Sequence, residues 1–253
     1  MGFYDRFVFG WHIVRESISA GWLVVPMLIS LAFFSVIAVA FLSLVYSIMF
    51  LGSFSVLFFL ILVFSVLVLY PLYLLVVSRW VLKRIGVGVK KLTFGRLFLF
   101  SMVLYSGNYF ISRTEGMLPD PSLSGSALRL AWAYFRYFLP MGFLTAERDS
   151  DCVREALTAS SRAYQEVALA MFAVRIILAL LIVLSVLVVF IVFFFFPSIE
   201  VFFAVLGATF IISFIFYYSL DLVVSSKLYA YSRSVDTTVL DDLRQVLKSL
   251  EVV

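Results

Sequence analysis

Hydrophobic positions in this chain run in long unbroken blocks, not in the alternating or every-third patterns of half-buried soluble elements. Crossing about 30 Å of hydrocarbon takes roughly 20 helical residues. Four blocks exceed that length, 21–50, 54–78, 167–196 and 201–224, and none holds more than one formal charge. Two further blocks are weaker: 97–111 is short and contains Asn108, and 126–146 contains Arg129 and Arg136. The pattern predicts an all-α polytopic membrane protein of about six membrane helices in three antiparallel hairpins, with the middle pair either spanning or re-entrant. Leu51-Gly52-Ser53 and the 197–200 segment, which opens Pro197-Ser198, read as the tight turns of the first and last hairpins.

Between the blocks the periodicity changes to that of amphipathic helices. Phe3, Phe7, Trp11, Val14 and Ile18 form one apolar stripe opposite Asp5, Arg6, Arg15 and Glu16, which predicts an interfacial helix over 1–20 leading into the first span. In 151–164, Val153, Ala156, Leu157 and Tyr164 oppose Arg154, Glu155, Ser161 and Arg162, predicting a second helix lying on the membrane. The tail, 233–253, places Leu240, Leu243, Leu247 and Leu250 on one face behind a capping Asp236. It reads as a cytoplasmic surface helix or a short dimerising seam, flanking a transmembrane domain over 21–232.

Composition agrees with a lipid solvent. Of 253 residues, 64% are apolar and 13% charged, with a mean hydropathy of +1.13. That balance excludes a secreted enzyme, a disordered tail and a nucleic-acid partner. Charge placement orients the chain, since loops on the cytoplasmic side collect Lys and Arg. With the N-terminus inside, sixteen of the nineteen basic residues fall on that side, leaving Arg113 outside and Arg129 and Arg136 within a block. A multi-pass protein of the cell membrane with both termini cytoplasmic follows. The basic run from Arg79 to Arg96 is suited to anionic lipid headgroups, at about 1 kcal/mol per basic residue, or to docking a cytoplasmic subunit. A homo-oligomer or a larger membrane complex is left open.

The inventory of chemistry is short. Cys152 and His12 are the only residues of their types, so no internal disulfide or ordinary protein zinc site is expected. No Gly-x-Ser-x-Gly, His-Glu-x-x-His or phosphate-binding Gly-x-x-x-x-Gly-Lys-Ser/Thr sequence occurs, and no block contains two acids. The chain therefore reads as a non-enzyme without a cofactor. Ionisable groups inside the blocks are the functional candidates, because each costs about 2.5 to 3.5 kcal/mol at mid-membrane. Arg136 lies near the middle of its block, Pro140 follows one turn later, and Arg129 shares the face, with no acid apparent at the same depth. Such a pair points to a wet path, a small anion or a lipid phosphate. Alternatively, a block dipping only partway leaves Arg136 at a headgroup. Asn108, Tyr105, Tyr134 and Tyr137 either complete an anion site or satisfy the arginine themselves. Arg175 and Asp221, equidistant from the 197–198 turn, are expected to form a structural ion pair.

Two stretches carry family resemblances. Gly10-Trp11, Trp22 and Pro26-Met27-Leu28, a surface helix followed by a proline and a long span, resemble the opening of CysZ-type sulfate permeases. Phe138-Leu139-Pro140-Met141, Glu155-Ala156-Leu157, Ser160-Ser161-Arg162 and Leu228-Tyr229-Ala230-Tyr231 are similar to patterns in uncharacterised prokaryotic polytopic families. The first resemblance implies an α-helical permease with partly penetrating middle helices that moves an oxyanion. The middle of the chain departs from that family, so sulfate itself does not follow. Six spans with an N-terminal surface helix also look like a type-2 ABC permease subunit needing a separate ATPase, and a non-transporting scaffold is the third reading.

Overall fold

The computed structural model describes residues 3–50, 55–115 and 123–233, and every regular element among them is helical. The elements are α1 (Phe3–Ser17), α2 (Ala20–Phe50), α3 (Ser55–Ile85), α4 (Phe94–Glu115), α5 (Leu123–Thr145), a 3-10 turn at Asp149–Asp151, α6 (Cys152–Arg162), α7 (Tyr164–Phe195) and α8 (Ile199–Ser232). The turn expected at Leu51-Gly52-Ser53 and the tail helix with its Asp236 cap lie outside the described residues.

Four helices are long and apolar enough to cross a membrane: Gly21–Met49, Val56–Ile85, Glu166–Phe195 and Ile199–Ser232. This makes the chain a membrane protein, but with four such helices among the described residues where six blocks were expected. The shortfall is α4 and α5. Gly95, Ser101, Ser106, Gly107 and Asn108 dilute the first, while Arg129 and Arg136 charge the second. The two pack on each other. Trp132 Nε1 donates to Asn108 Oδ1 at 2.7 Å, and the Trp132 ring lies so close over Gly107 that a Cβ there would fall 2.0 Å from it.

Packing is concentrated at one end. Leu75, Val81 and Leu82 of α3, Phe100 of α4, Phe138, Leu139 and Phe143 of α5, and Leu220, Val223 and Leu228 of α8 are fully covered or nearly so, forming one core with α1 and α6. Beyond it, Phe41 and Met49 of α2, Phe59 and Phe64 of α3, Phe190 and Phe194 of α7, and Phe203 and Ile211 of α8 are bare of protein. In water that exposure would be prohibitive; in hydrocarbon it costs nothing. Hydroxyls join the helices where apolar contact is not a driving force. Ser30 Oγ lies 2.8 Å from the Tyr73 hydroxyl and 2.9 Å from Ser219 Oγ, linking α2, α3 and α8. Ser185 and Ser213 meet at 2.9 Å, and Phe193 and Phe202 at 5.5 Å between ring centroids, so α7 and α8 run in opposite directions from the Phe196–Ser198 bend. Ser198 caps α8 by accepting from the Val201 amide at 3.5 Å.

The basic run after α3 is more structural than its charge suggests. α3 stops at Gly86, whose φ of 91° is open to glycine, and Val87 N bonds back to Leu82 O at 3.0 Å while Gly86 N bonds to Lys83 O at 3.2 Å. Arg84 donates to the Gly21 carbonyl and lies between Trp22 and Trp80, 4.8 and 5.2 Å from their rings. Lys227, also over Trp22, pairs with Glu16 at 2.7 Å and so ties α1 to α8. Arg96 is buried: its guanidinium donates to the carbonyls of Phe143, Ala146 and Glu147 and to Asp149 Oδ1 at 2.8 Å. Arg84 and Arg96 are therefore both engaged within the protein.

Both amphipathic helices pack on the protein through part of the apolar stripe together with neighbouring residues. α1 buries Phe9, Ile13, Val14 and Ser17 against α7 and α8, with the Phe9 and Tyr231 rings 4.5 Å apart, and leaves Trp11 exposed. α6 packs on α5 through Cys152, Ala156 and Ala159, and Leu157 is exposed. Small residues win because the helices approach closely. A Cβ on Gly142 would fall 2.6 Å from the Cys152 carbonyl oxygen and 2.9 Å from Ala156 Cβ. Gly142→Ala is expected to cost about 1–3 kcal/mol, the usual range for overpacking. A lower midpoint of thermal unfolding in detergent checks this; an unchanged one removes the close approach.

Candidate functional site

The side chains of interest meet where the packed core gives way to the bare halves of the helices. α5 runs from Leu123 to Thr145 with Pro140 inside it, so the Arg136 carbonyl loses its ordinary amide partner four residues on. On α8, Tyr217, Tyr218, Asp221, Leu222 and Ser225 recur at helical spacings of three and four and share a face. α3 contributes Tyr70 and Leu74, and α7 contributes Met171 and Arg175. Together these helices enclose a cavity of about 160 Å³ whose charged residues are Arg136, Arg175 and Asp221. Its formal charge is +1.

This arrangement corrects the expectation that no acid shares the depth of Arg136. Asp221 lines the same cavity, and its strongest electrostatic partner is Arg136, with Arg175 weaker. Arg175 and Asp221 line the same cavity, in keeping with their distances from the bend, but no ion pair within 4.0 Å joins them, and the carboxylate feels Arg136 most, then the Tyr137 hydroxyl and Arg175. Both arginines are exposed at the mouth while Asp221 is half-buried. One carboxylate cannot fill the donors of two guanidiniums, which leaves some available to another acceptor.

Tyr137 belongs to the same cluster: its hydroxyl is buried beside Asp221, whose carboxylate is its polar neighbour. Four phenol-bearing side chains, Tyr70, Tyr137, Tyr217 and Tyr218, line the walls, giving donors set in aromatic surface. The cavity has room for a small oxyanion with some of its water, given that one ordered water needs about 10–15 Å³ on the same measure. Hard monoanionic or dianionic ligands, or the phosphate of a lipid entering from the mouth, match such a lining.

Comparison of the chain with protein-family models, with curated proteins and with solved structures finds no match, so the role of the cavity rests on its own chemistry.

The other proposed ligating residues lie elsewhere. Asn108 is taken by Trp132, and Tyr105 donates to the Val66 carbonyl at 3.2 Å. Arg129 is exposed seven residues before Arg136 and is not among the residues lining the cavity. The structure thus brings together Arg136, Tyr137, Arg175 and Asp221 and leaves Arg129, Asn108 and Tyr105 apart. Sequence reading missed Tyr70, Tyr217 and Tyr218. The available signal was the Tyr217-Tyr218 pair three and four residues before the acid of an otherwise apolar helix, a spacing that places all three on one face.

Proposed function

We propose that the chain is a polytopic membrane permease that binds a small anion, of the oxyanion class, in the cavity between α3, α5, α7 and α8. The observation that carries this reading is the charge balance of the cavity: two guanidiniums and one carboxylate line it among four phenols. A lining that served stability alone would pair its charges one to one. Four apolar helices supply the lipid-embedded frame that passage of a solute requires. The resemblance of the opening stretch to CysZ-type sulfate permeases agrees in substrate class. In this reading α4 and α5 are the partly penetrating middle pair, the basic end lies in the cytoplasm of a cell membrane, and both termini are on that side.

Sulfate and phosphate are the probes. Purified protein in nanodiscs of neutral lipid is expected to bind radiolabelled sulfate or phosphate saturably, and vesicles containing it to take up the label. Binding that appears only as competition with anionic lipid would identify a headgroup phosphate as the occupant. Neither binding nor competition removes the anion reading; binding without uptake leaves an anion-holding scaffold in place of a permease.

Orientation has its own test. A Ser198→Cys substitution in a Cys152→Ala background is expected to react with an impermeant maleimide added to intact cells, since Ser198 lies at the bend between α7 and α8. Native Cys152 should add little signal, because it is buried and burial pushes its thiol above the ordinary range. Labelling that requires broken cells would invert the assignment.

A further inference from the structure

The basic end holds a second and larger hollow. A cleft of about 870 Å³ opens between the segment around Lys90, the end of α5, the face of α6 and the last turn of α8. Arg154 and Arg162, two helical turns apart on α6, line it together with Lys90 and Arg233, against Glu147, Asp151 and Glu155. Glu155 is already engaged, 3.4 Å from Arg233. The net charge is again +1, and the cations come from three separate elements.

Two helices lead from this cleft to the cavity described above. On α8, Ser225 lines the cavity and Ser232 and Arg233 line the cleft, about 10 Å further along at helical rise. On α5, Tyr137 and Pro140 line the cavity and Thr145 the cleft. The interval contains Phe138, Met141 and Tyr229, all fully buried. Tyr229 is the polar member of that layer. Its hydroxyl lies 2.5 Å from Thr145 Oγ1 and accepts from Arg233 Nη1 at 3.4 Å, and its ring meets Phe138 edge-on at 5.7 Å.

We infer that the cleft is the vestibule of the cavity, gathering the same small anions at the basic end, and that Tyr229 is the barrier between the two, latched by Thr145 and Arg233. The inference rests on reading the cavity as an anion site. Its logic is competition: an anion in the cleft draws the exposed Arg233 guanidinium away from Glu155 and from the Tyr229 hydroxyl, loosening the latch from the vestibule side. Thr145 would not be stranded when the tyrosine moves, because it also bonds to the Met141 carbonyl at 3.0 Å.

Accessibility of Ser225 tests this without requiring flux. Ser225→Cys in the Cys152→Ala background is alkylated in nanodiscs by a small anionic thiol reagent, with and without Tyr229→Phe or Thr145→Val. Either latch variant is expected to raise the rate about 3- to 10-fold, the population change produced by losing one hydrogen bond of ordinary net strength. Sulfate should slow the reaction, and Arg136→Gln should abolish that protection while preserving the acceleration. Unchanged rates in both variants, with sulfate protection intact, overturn the barrier and leave the cavity reading standing. Acceleration without any sulfate protection overturns the anion reading of both hollows.

Discussion

Asp221→Asn is expected to tighten sulfate binding, and Arg136→Gln to weaken it, each by roughly tenfold, the effect of about 1.4 kcal/mol of altered Coulomb energy. Asp221 occupies the position of a resident competitor: its carboxylate draws on the same guanidiniums that an incoming anion would need. Neutralising it raises the formal charge of the cavity from +1 to +2, while neutralising Arg136 lowers it to zero. The double substitution restores +1 and should bind near the level of the parent. Equilibrium binding of labelled sulfate in neutral nanodiscs distinguishes the outcomes. Were the three charges only a structural cluster, both single substitutions would lower the thermal midpoint and neither would move affinity in opposite directions. The sign of the Asp221→Asn effect is the decisive quantity.

Arg96→Ala is expected to destabilise the protein by about 2–4 kcal/mol, because it leaves three backbone carbonyls, those of Phe143, Ala146 and Glu147, without their donor. Arg96→Lys should recover little, since an ammonium cannot reach several acceptors in the fixed fork of a guanidinium. Asp149→Ala should cost no more than about 1 kcal/mol, because the acid's side chain is 61% exposed and its pairing is screened by water. Denaturation in detergent measures the three variants together. Equal losses for Arg96→Ala and Asp149→Ala would place the energy in the ion pair and not in the carbonyls.

What could be read from the sequence follows from length scales. The four spanning helices were legible because an apolar run of thirty residues has few alternatives to a bilayer crossing. α4 and α5 were less so, since an apolar helix interrupted by Gly107, Asn108 or Arg136 has the same pattern whether it crosses lipid or packs on a neighbour. Arg175 and Asp221 were placed at one level by counting from a short bend, a local argument that holds over a single pair of helices. Arg136 could not be placed that way. It is 85 residues from Asp221, and their meeting depends on which helices are neighbours, information that no single block contains. The same limit hid the carbonyl-binding role of Arg96 and the burial of Cys152 and Ala159 on α6, where close approach at Gly142 favours small residues.

The contrast between the sewn basic end and the bare outer halves of α2, α3, α7 and α8 has a mechanical consequence. Those outer segments meet protein only along their hairpin partners and face lipid elsewhere, so the surrounding chains bear on their spacing and tilt. Thickness and lateral tension of the bilayer act on them as a load on free arms, while the knot of core side chains behind Tyr73 and Tyr229 serves as the fulcrum. Amide exchange should be slow in that knot and should rise toward Phe194 and Phe203 wherever the lipid is thinned.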